Sequence, residues 1–456
     1  MSKQNIVKPR IPSGVMELLP REQACFQRML DTIRETYESF GFQGLDTTTM
    51  ELTKVLLTKS GGDTEKQVYF VQSTGSLKQG YDPDMALRFD LTVPLARYVA
   101  QNERNLPFPF RRYQIAKVYR GESAQAGRYR EFYQCDIDVV GREKLSLTAD
   151  AEMPAIISAL FRKLNIGSFT IKMSNRKILQ GLLVSLGLEE AEKRTVVVRL
   201  IDKADKVGLD KVLEDLRSLE ELTLSEEAVN SIKAFLEING DARQVLAGLE
   251  ELGIENEEYK TGVAEMTEVI DNLEAMGVPK EDYVVDTSIA RGLDYYTGTV
   301  YETFLDDYKK LGSICSGGRY ENLTAFYSKA KLPGVGISIG ATRLFYQLNK
   351  AGLLGNPRSS VDVMFAELST DLRGKCFELA NELRSVGIKT CVWTEGTKFK
   401  KQMTYADKAG IPFVIFIGED EIAKNQARVK DMQNGEQADV PLDNLASYLQ
   451  MKFTQH

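Results

Sequence analysis

The amino-acid sequence predicts an α+β protein: a sheet domain interrupted by a helical insertion, then a small α/β domain built on a mixed sheet. Three observations predict this. Strand-like runs at 113–119 and 131–140 flank a loop of small and polar residues ending in Gly127, the pattern of a long β-hairpin. From about 175 to 280 the chain is rich in Glu, Lys and Leu, with helical periods but no sustained heptad. After a linker at Asn356-Pro-Arg-Ser-Ser, strand and helix patterns alternate to the end. The expected domains are 1–350, holding the insertion, and 360–456.

Taken in order, an amphipathic helix carries Phe26, Met29, Leu30, Ile33 and Tyr37 at helical spacing and ends at Gly41. Strand character at 42–49 precedes a helical piece at 51–59, and further strands are expected at 68–72 and 86–89. Asp90 opens a helix, because an N-cap carboxylate accepts the first free backbone N–H groups. The hairpin is followed by a helix over 147–164, and the insertion holds helices at 203–219, 225–236 and 242–252. Strands return at 283–289 and 299–305, then a Gly-rich turn at Ser316-Gly-Gly-Arg-Tyr, then a Gly-x-Gly strand leading into a helix over 334–348. The last domain reads strand, helix, strand, helix, strand, strand, helix from 361 to 452.

Composition narrows the chemistry. At 456 residues the chain exceeds one hydrophobic core, and 43% hydrophobic with 27% charged residues is ordinary globular usage. No apolar run reaches about 18 residues and the opening segment lacks a signal peptide's apolar stretch, so a cytoplasmic protein without a membrane partner is expected. Five cysteines (Cys25, Cys135, Cys315, Cys376, Cys391) lack Cys-x-x-Cys spacing, which suggests neither disulfides nor a zinc site. A net charge of −7 argues against indiscriminate nucleic-acid binding, and no DNA partner is expected; local patches decide whether a specific polyanion binds. The single histidine is His456, at the final position. Histidine-based acid–base catalysis, Ser-His-Asp triads and histidine-ligated metals are therefore set aside, leaving Arg, carboxylates and Tyr.

The hairpin concentrates what remains. Positions 104–130 hold seven Arg or Lys and one acid, Glu122. Arg120 closes the first strand, and Asp136 and Asp138, two apart, share a face of the second. A cation beside carboxylates suits a ligand bearing both phosphate and a protonated amine or imidazole; the same pattern also fits a solvated charged surface. Arg291-Gly-Leu-Asp-Tyr-Tyr sets an arginine and two aromatics at a turn entering a strand, compatible with a site or a buried corner. The glycines of Ser316-Gly-Gly-Arg-Tyr let a backbone approach a ligand closely, and Gly334-Val-Gly-Ile-Ser-Ile-Gly-Ala-Thr-Arg343 puts Arg343 at the start of a helix.

Together these segments resemble the histidyl-tRNA synthetases, a class II aminoacyl-tRNA synthetase family, from about Gly14 to Lys452. Tyr119-Arg-Gly-Glu with Gly127-Arg-Tyr-Arg-Glu-Phe-Tyr-Gln is similar to the class's motif 2 hairpin, 336–343 to motif 3, and 40–51 to the dimer-forming motif 1. Arg291-Gly-Leu-Asp-Tyr-Tyr and Ser316-Gly-Gly-Arg-Tyr resemble the two segments special to the histidine enzymes.

The resemblance implies an antiparallel-sheet catalytic domain, a C-terminal anticodon-binding domain, and ligation of histidine to its cognate tRNA through a histidyl-adenylate. It implies ATP with Mg²⁺ as substrate complex, no prosthetic group, no metal held by protein side chains, and a homodimer. By the same resemblance Arg120, Arg291 and Arg343 are catalytic, and Arg120, Glu122, Arg128 and Arg343 bind ATP. Histidine falls to Asp90, Leu91, Thr92, Arg120, Gln134, Asp138, Arg291, Tyr295, Tyr296 and Gly318, and tRNA to Gln125, Lys398, Lys400 and Lys401. The chain departs from the family at Thr48, where motif 1 has proline, and at Thr342, where motif 3 has glutamate, which leaves Arg343 with one fewer orienting partner. The competing reading is a non-catalytic histidine-binding regulatory paralog of ATP phosphoribosyltransferase. Such paralogs usually lack the anticodon domain and degrade the Arg291 segment, both of which this chain keeps.

Overall fold

Alternating side chains set the frame of the larger unit. In both hairpin strands one face carries Ile137, Val139 and their neighbours into the core while the other carries Arg112, Gln114, Asp136 and Asp138. The computed structural model describes residues 7–57, 65–123, 127–219, 222, 224–290, 296–321, 324–354 and 359–454. The chain divides into two compact units, Met1–Met16 with Leu30–Leu353, and Glu17–Met29 with Leu354–His456.

Along the first unit run β1 (Gln43–Gly44), β2 (Met50–Leu52), β3 (Phe70–Val71), β4 (Met85–Leu87), β5 (Phe110–Tyr119) and β6 (Glu131–Val140). They are followed by β7 (Phe169–Asn175), β8 (Tyr283–Val285), β9 (Thr299–Leu305), β10 (Cys315–Tyr320) and β11 (Gly334–Gly340). Eight of these make one sheet in the order β1-β5-β6-β11-β10-β9-β7-β8. Its inner pairs are antiparallel, and only the edge pairs β1–β5 and β7–β8 are parallel. β2, β4 and β3 form a small separate sheet. Tyr37, near the end of the helix Pro20–Ser39, donates to the Cys135 carbonyl at 3.2 Å and so ties that end of the helix to β6.

Several elements differ from expectation. Strand 42–49 shrinks to two residues because Asp46 and Thr47 turn away to accept from the Gln114 amide at 3.0 and 3.2 Å. The piece at 51–59 starts as β2 and forms only the helix Thr53–Leu56 before the described residues stop at 57. The expected turn at 316–320 is a strand, β10, in which glycine serves close packing rather than reversal. β7 was not anticipated, although Phe169, Ile171 and Met173 alternate into the core. The Asp90 helix begins at Thr92, with the Asp90 carboxylate accepting the Val93 N–H at 2.9 Å.

Between β7 and β8 the described elements are helices, from Arg176–Ser185 to Glu257–Ala275. Ser225, Asp241 and Asn256 cap three of them by accepting backbone N–H groups, Asp241 within a capping box with Gln244.

In the second unit β12 (Val363–Ala366), β13 (Thr390–Val392), β14 (Phe413–Phe416), β15 (Gln426–Asp431) and β16 (Gln437–Pro441) form a sheet in the order β13-β12-β14-β15-β16. The first three are parallel and the last two antiparallel, the mixed sheet expected, with β16 an addition. Val363 and Phe365 pack with Leu379, Leu383 and Leu449 on one face, and Met364 and Ala366 with Ala406 and Ile411 on the other. Burial on both faces is what a sheet sandwiched by helices requires. Among the described residues no helix is long and apolar enough to cross a membrane.

Candidate active site

Strand register brings the polar residues into rows. Arg112, Asp138, Gly336 and Gly318 stand opposite one another across β5, β6, β11 and β10. The next row is Gln114, Asp136, Ser338 and Ser316, and the next sets Ala116, Gln134 and Gly340 in line. The two glycines make room for what lies over them. A Cβ at Gly336 would stand 2.2 Å from Asp138 Oδ1, and one at Gly318 would stand 2.8 Å from the Tyr296 ring.

Asp138 is buried and held from two sides, by Arg112 Nη2 at 2.7 Å and by the Tyr320 hydroxyl donating at 3.0 Å. Burial pushes its carboxyl up to about 6, against the pull of Arg112 and Tyr320. At neutral pH Asp138 is therefore mainly a carboxylate. Asp136 is raised further, to about 7, by burial, with Arg112 and a hydrogen bond from the Ser338 hydroxyl opposing. Ser338 in turn accepts from Gln134 Nε2 at 3.1 Å, so Gln134 is oriented amide-first, and its buried Oε1 has no partner among the described residues. That oxygen is a ready acceptor for a ligand N–H. The Tyr296 phenol is raised well above its ordinary value, first by burial and then by Asp138 and Asp136.

Beside these rows opens a cavity of about 390 Å³, lined by Arg120, Glu122, Arg128, Gln134, Ser316, Ser338, Gly340 and Arg343 among others. The Arg120 guanidinium lies 4.4 Å from the Phe89 ring centroid and 5.1 Å from that of Phe132, and its Nε donates to the Phe89 carbonyl at 3.2 Å. Burial lowers its pKa while Asp90 opposes the shift. Asp90 is half-buried, its pKa raised by burial against its hydrogen bond from Val93 and the charge of Arg120. Arg343 donates to the Leu311 carbonyl, which supplies the orientation that a neutral Thr342 cannot. Thr342 is itself occupied, accepting the Tyr133 N–H at 2.8 Å. Glu122 and Arg128 approach to 3.7 Å at the cavity rim.

The structure thus gathers Arg120, Glu122, Arg128, Gln134 and Arg343 around one cavity, with Asp138, Tyr296 and Gly318 in the adjoining rows. Leu91 enters differently from expectation. Its side chain is fully buried against Ala116 and Val118, because helix entry points it into the core, and only its backbone remains available. Lys398, Lys400 and Lys401 are exposed at the start of the helix Phe399–Ala409 in the second unit. Arg291, Tyr295 and Gln125 lie outside the described residues. Sequence reasoning passed over Arg112, Tyr320 and Ser338, and it noted Asp136 beside Asp138 without giving it a role. The hairpin register held the signal for Arg112, since pairing Tyr119 with Glu131 already sets position 112 opposite 138.

Comparison with known proteins gives the family. Residues 14–344 match the family model described as histidyl-tRNA synthetase, and residues 362–452 match the anticodon binding domain model. The histidine–tRNA ligase of Stenotrophomonas maltophilia is 53% identical, with 99% of each chain covered. That of Xanthomonas campestris is 52% identical over 99% of this chain and 98% of its own. The crystal structure of histidyl-tRNA synthetase from Nostoc sp. PCC 7120 superposes with a TM-score of 0.90 at 40% identity, covering 98% of this chain and all of that one. An ATP phosphoribosyltransferase regulatory subunit/histidyl-tRNA synthetase from Bacillus halodurans shares the fold, with a TM-score of 0.72, 24% identity, and coverage of 90% of this chain and 99% of its own. With the family model spanning most of the chain and the anticodon model following it, the chain belongs to the histidyl-tRNA synthetase family.

Proposed function

We propose that the protein is a histidine–tRNA ligase: it consumes ATP to form histidyl-adenylate and passes the histidyl group to its cognate tRNA. The observation that carries this reading is the joining of an arginine-lined cavity to buried carboxylates on one sheet face, in a chain 53% identical along its length to a histidine–tRNA ligase. The C-terminal match to an anticodon-binding model favours the ligase over a regulatory paralog.

Activation is an in-line attack of the histidine carboxylate on the α-phosphate. The nucleophile is already ionised, so the site has no need of a protein histidine or other general base; it needs positive charge fixed where negative charge develops. Arg120, stacked on Phe89 and half-shielded from water, and Arg343 on the same cavity support a reading in which the first takes the α-phosphate and the second the far end of the triphosphate; the resemblance assigns Arg291 to joining carboxylate and α-phosphate. Glu122 and Arg128 at the rim suit the adenine side. Gln134 Oε1, Asp90 and Thr92 are acceptors for the α-ammonium, and Asp138 and Tyr296, the latter lying over Gly318, would pair with the two imidazole nitrogens; the resemblance adds Tyr295 to this set. Leaving Asp138 unpaired would penalise any amino acid without a matching N–H.

Mg²⁺ would arrive with ATP as part of the substrate, held by the phosphates and not by protein side chains. Motif 1 supports a homodimer, the lysines 398, 400 and 401 a phosphate-contacting patch for tRNA together with Gln125, and the composition a cytoplasmic location. Charging assays on purified tRNA test the function. Histidine should be esterified to its cognate tRNA in an ATP-dependent reaction, and a protein that binds histidine yet charges no tRNA would be the regulatory type instead.

A further inference from the structure

Arg112 is the largest side chain among the described residues that show no exposed surface. Burying a guanidinium is expensive, and well-packed apolar residues of similar volume usually stabilise a fold at least as well. Its contacts do not offset that cost in the ordinary way. Nη2 meets Asp138 Oδ2 at 2.7 Å and the Leu91 carbonyl at 3.4 Å, while Nε and Nη1 have no partner among the described residues. Asp138 gains more than Arg112 does. One carboxylate oxygen is fixed by Arg112 and the other by the Tyr320 hydroxyl at 3.0 Å. Both holds come from the protein side, with the glycine at 336 making space for Oδ1.

The surroundings explain why a fixed cation is needed. Asp138 is faced by Arg112 on β5 and Tyr320 on β10, by Tyr296 before β9 and Asp90 before the helix at Thr92, and Asp136 precedes it on its own strand. Among the described residues Arg120 interacts with Asp90 and Asp136, whereas the guanidinium that favours the ionised form of Asp138 is Arg112. Without Arg112, the cheapest response is protonation of Asp138, which turns one oxygen from an acceptor into a donor.

We propose that Arg112 is a positioning residue for amino-acid selection: it holds Asp138 ionised and in one orientation, so that the carboxylate's open lone pairs accept the imidazole N–H of histidine. This rests on the histidine pocket proposed above. It assigns Arg112 no contact with either substrate; its effect passes entirely through Asp138.

The test compares Arg112→Met, Arg112→Lys, Asp138→Asn and the double variant Arg112→Met/Asp138→Asn by histidine-dependent ATP–pyrophosphate exchange. Arg112→Met should raise the KM for histidine about tenfold or more, the scale for a lost charged hydrogen bond, and leave the KM for ATP unchanged. The acidic fall of kcat/KM for histidine should move to higher pH, and Arg112→Lys should recover part of the loss. Because Arg112 acts through Asp138, the double variant should be no worse than Asp138→Asn alone. Should Arg112→Met fail to fold, the double variant, which buries no unpaired charge, carries the same comparison. Multiplying effects in the double variant, or equal changes in both KM values with an unmoved acidic limb, would overturn the proposal while leaving the pocket standing. An unchanged histidine KM in Asp138→Asn would instead remove the pocket itself, and this inference with it.

Discussion

Arg112 and Asp138 stand directly opposite in the β5–β6 register and meet at 2.7 Å with both side chains buried. The hairpin ladder fixes both backbones of this pair, and Arg112 and Tyr320 then orient the carboxylate that the proposed pocket offers to histidine. The row continues through Gly336 and Gly318, and substitutions along it should change histidine recognition before they change ATP recognition.

Gly336→Ala is the sharpest such substitution. Its added Cβ would fall 2.2 Å from Asp138 Oδ1 and 2.6 Å from the Ile137 carbonyl, so the carboxylate must swing away. Overpacking of this kind costs about 1–3 kcal/mol in stability. The folded fraction should show a KM for histidine raised about tenfold or more, with the ATP value little changed, as expected when a charged hydrogen bond is lost. Equal sensitivity to both substrates would mean the clash spreads beyond Asp138.

The pH dependence has two opposite signs. Burial raises Asp138 to about 6 and Asp136 to about 7, so between the ordinary carboxylate value and these values the folded state binds more protons than the unfolded. The stability these two groups contribute is complete below about pH 4 and is lost as pH rises through 6 to 7. In the proposed pocket histidine binding relies on an ionised Asp138, so it should weaken as pH falls through about 6. Urea unfolding of the ligand-free protein from pH 5 to 8, run beside Asp138→Asn, isolates the first effect. Identical pH slopes in the two proteins would show that Asp138 does not titrate there.

A second buried pair serves the scaffold. Arg319 Nε donates to Asp150 Oδ1 at 3.0 Å, and its Nη2 reaches Oδ2 and the carbonyls of Leu145 and Ser146, tying β10 to the helix Thr148–Leu164. Removing one partner leaves a buried charge uncompensated, so Asp150→Ala should destabilise by about 3–5 kcal/mol. Calorimetry or denaturant unfolding measures this, and a loss under about 1 kcal/mol would class the pair with ordinary surface bridges.

Arg120→Ala should slow adenylate formation by about 10²–10³-fold if the guanidinium acts as fixed stabilisation of developing phosphate charge. The same range is expected for Arg291→Ala. Single-turnover formation of the adenylate separates this from binding, and a variant defective only in KM for ATP would recast Arg120 as a binding group.

How much the sequence revealed depended on the kind of interaction. Apolar periodicity marked the hairpin, β9 and β11 well, since burial on one face writes itself into residue spacing. Ser316-Gly-Gly-Arg-Tyr misled because glycines signal turns in isolation, yet here Gly317 and Gly318 admit the backbone and ring of their neighbours within a strand. The resemblance singled out Asp138 and Gln134, but nothing local in the sequence marks Tyr320 as the donor to Asp138, 182 positions away. Partnerships of that length follow from sheet order, and β6-β11-β10 adjacency is fixed only when the whole sheet closes.

The central claim is that the cavity of Arg120 and Arg343, beside the buried Asp138, activates histidine and no other amino acid. ATP–pyrophosphate exchange measured with each amino acid in turn tests it most directly. The account predicts exchange with histidine alone, and its near loss in Asp138→Asn at low histidine. Exchange supported equally by another amino acid, or histidine-dependent exchange indifferent to Asp138, would contradict it.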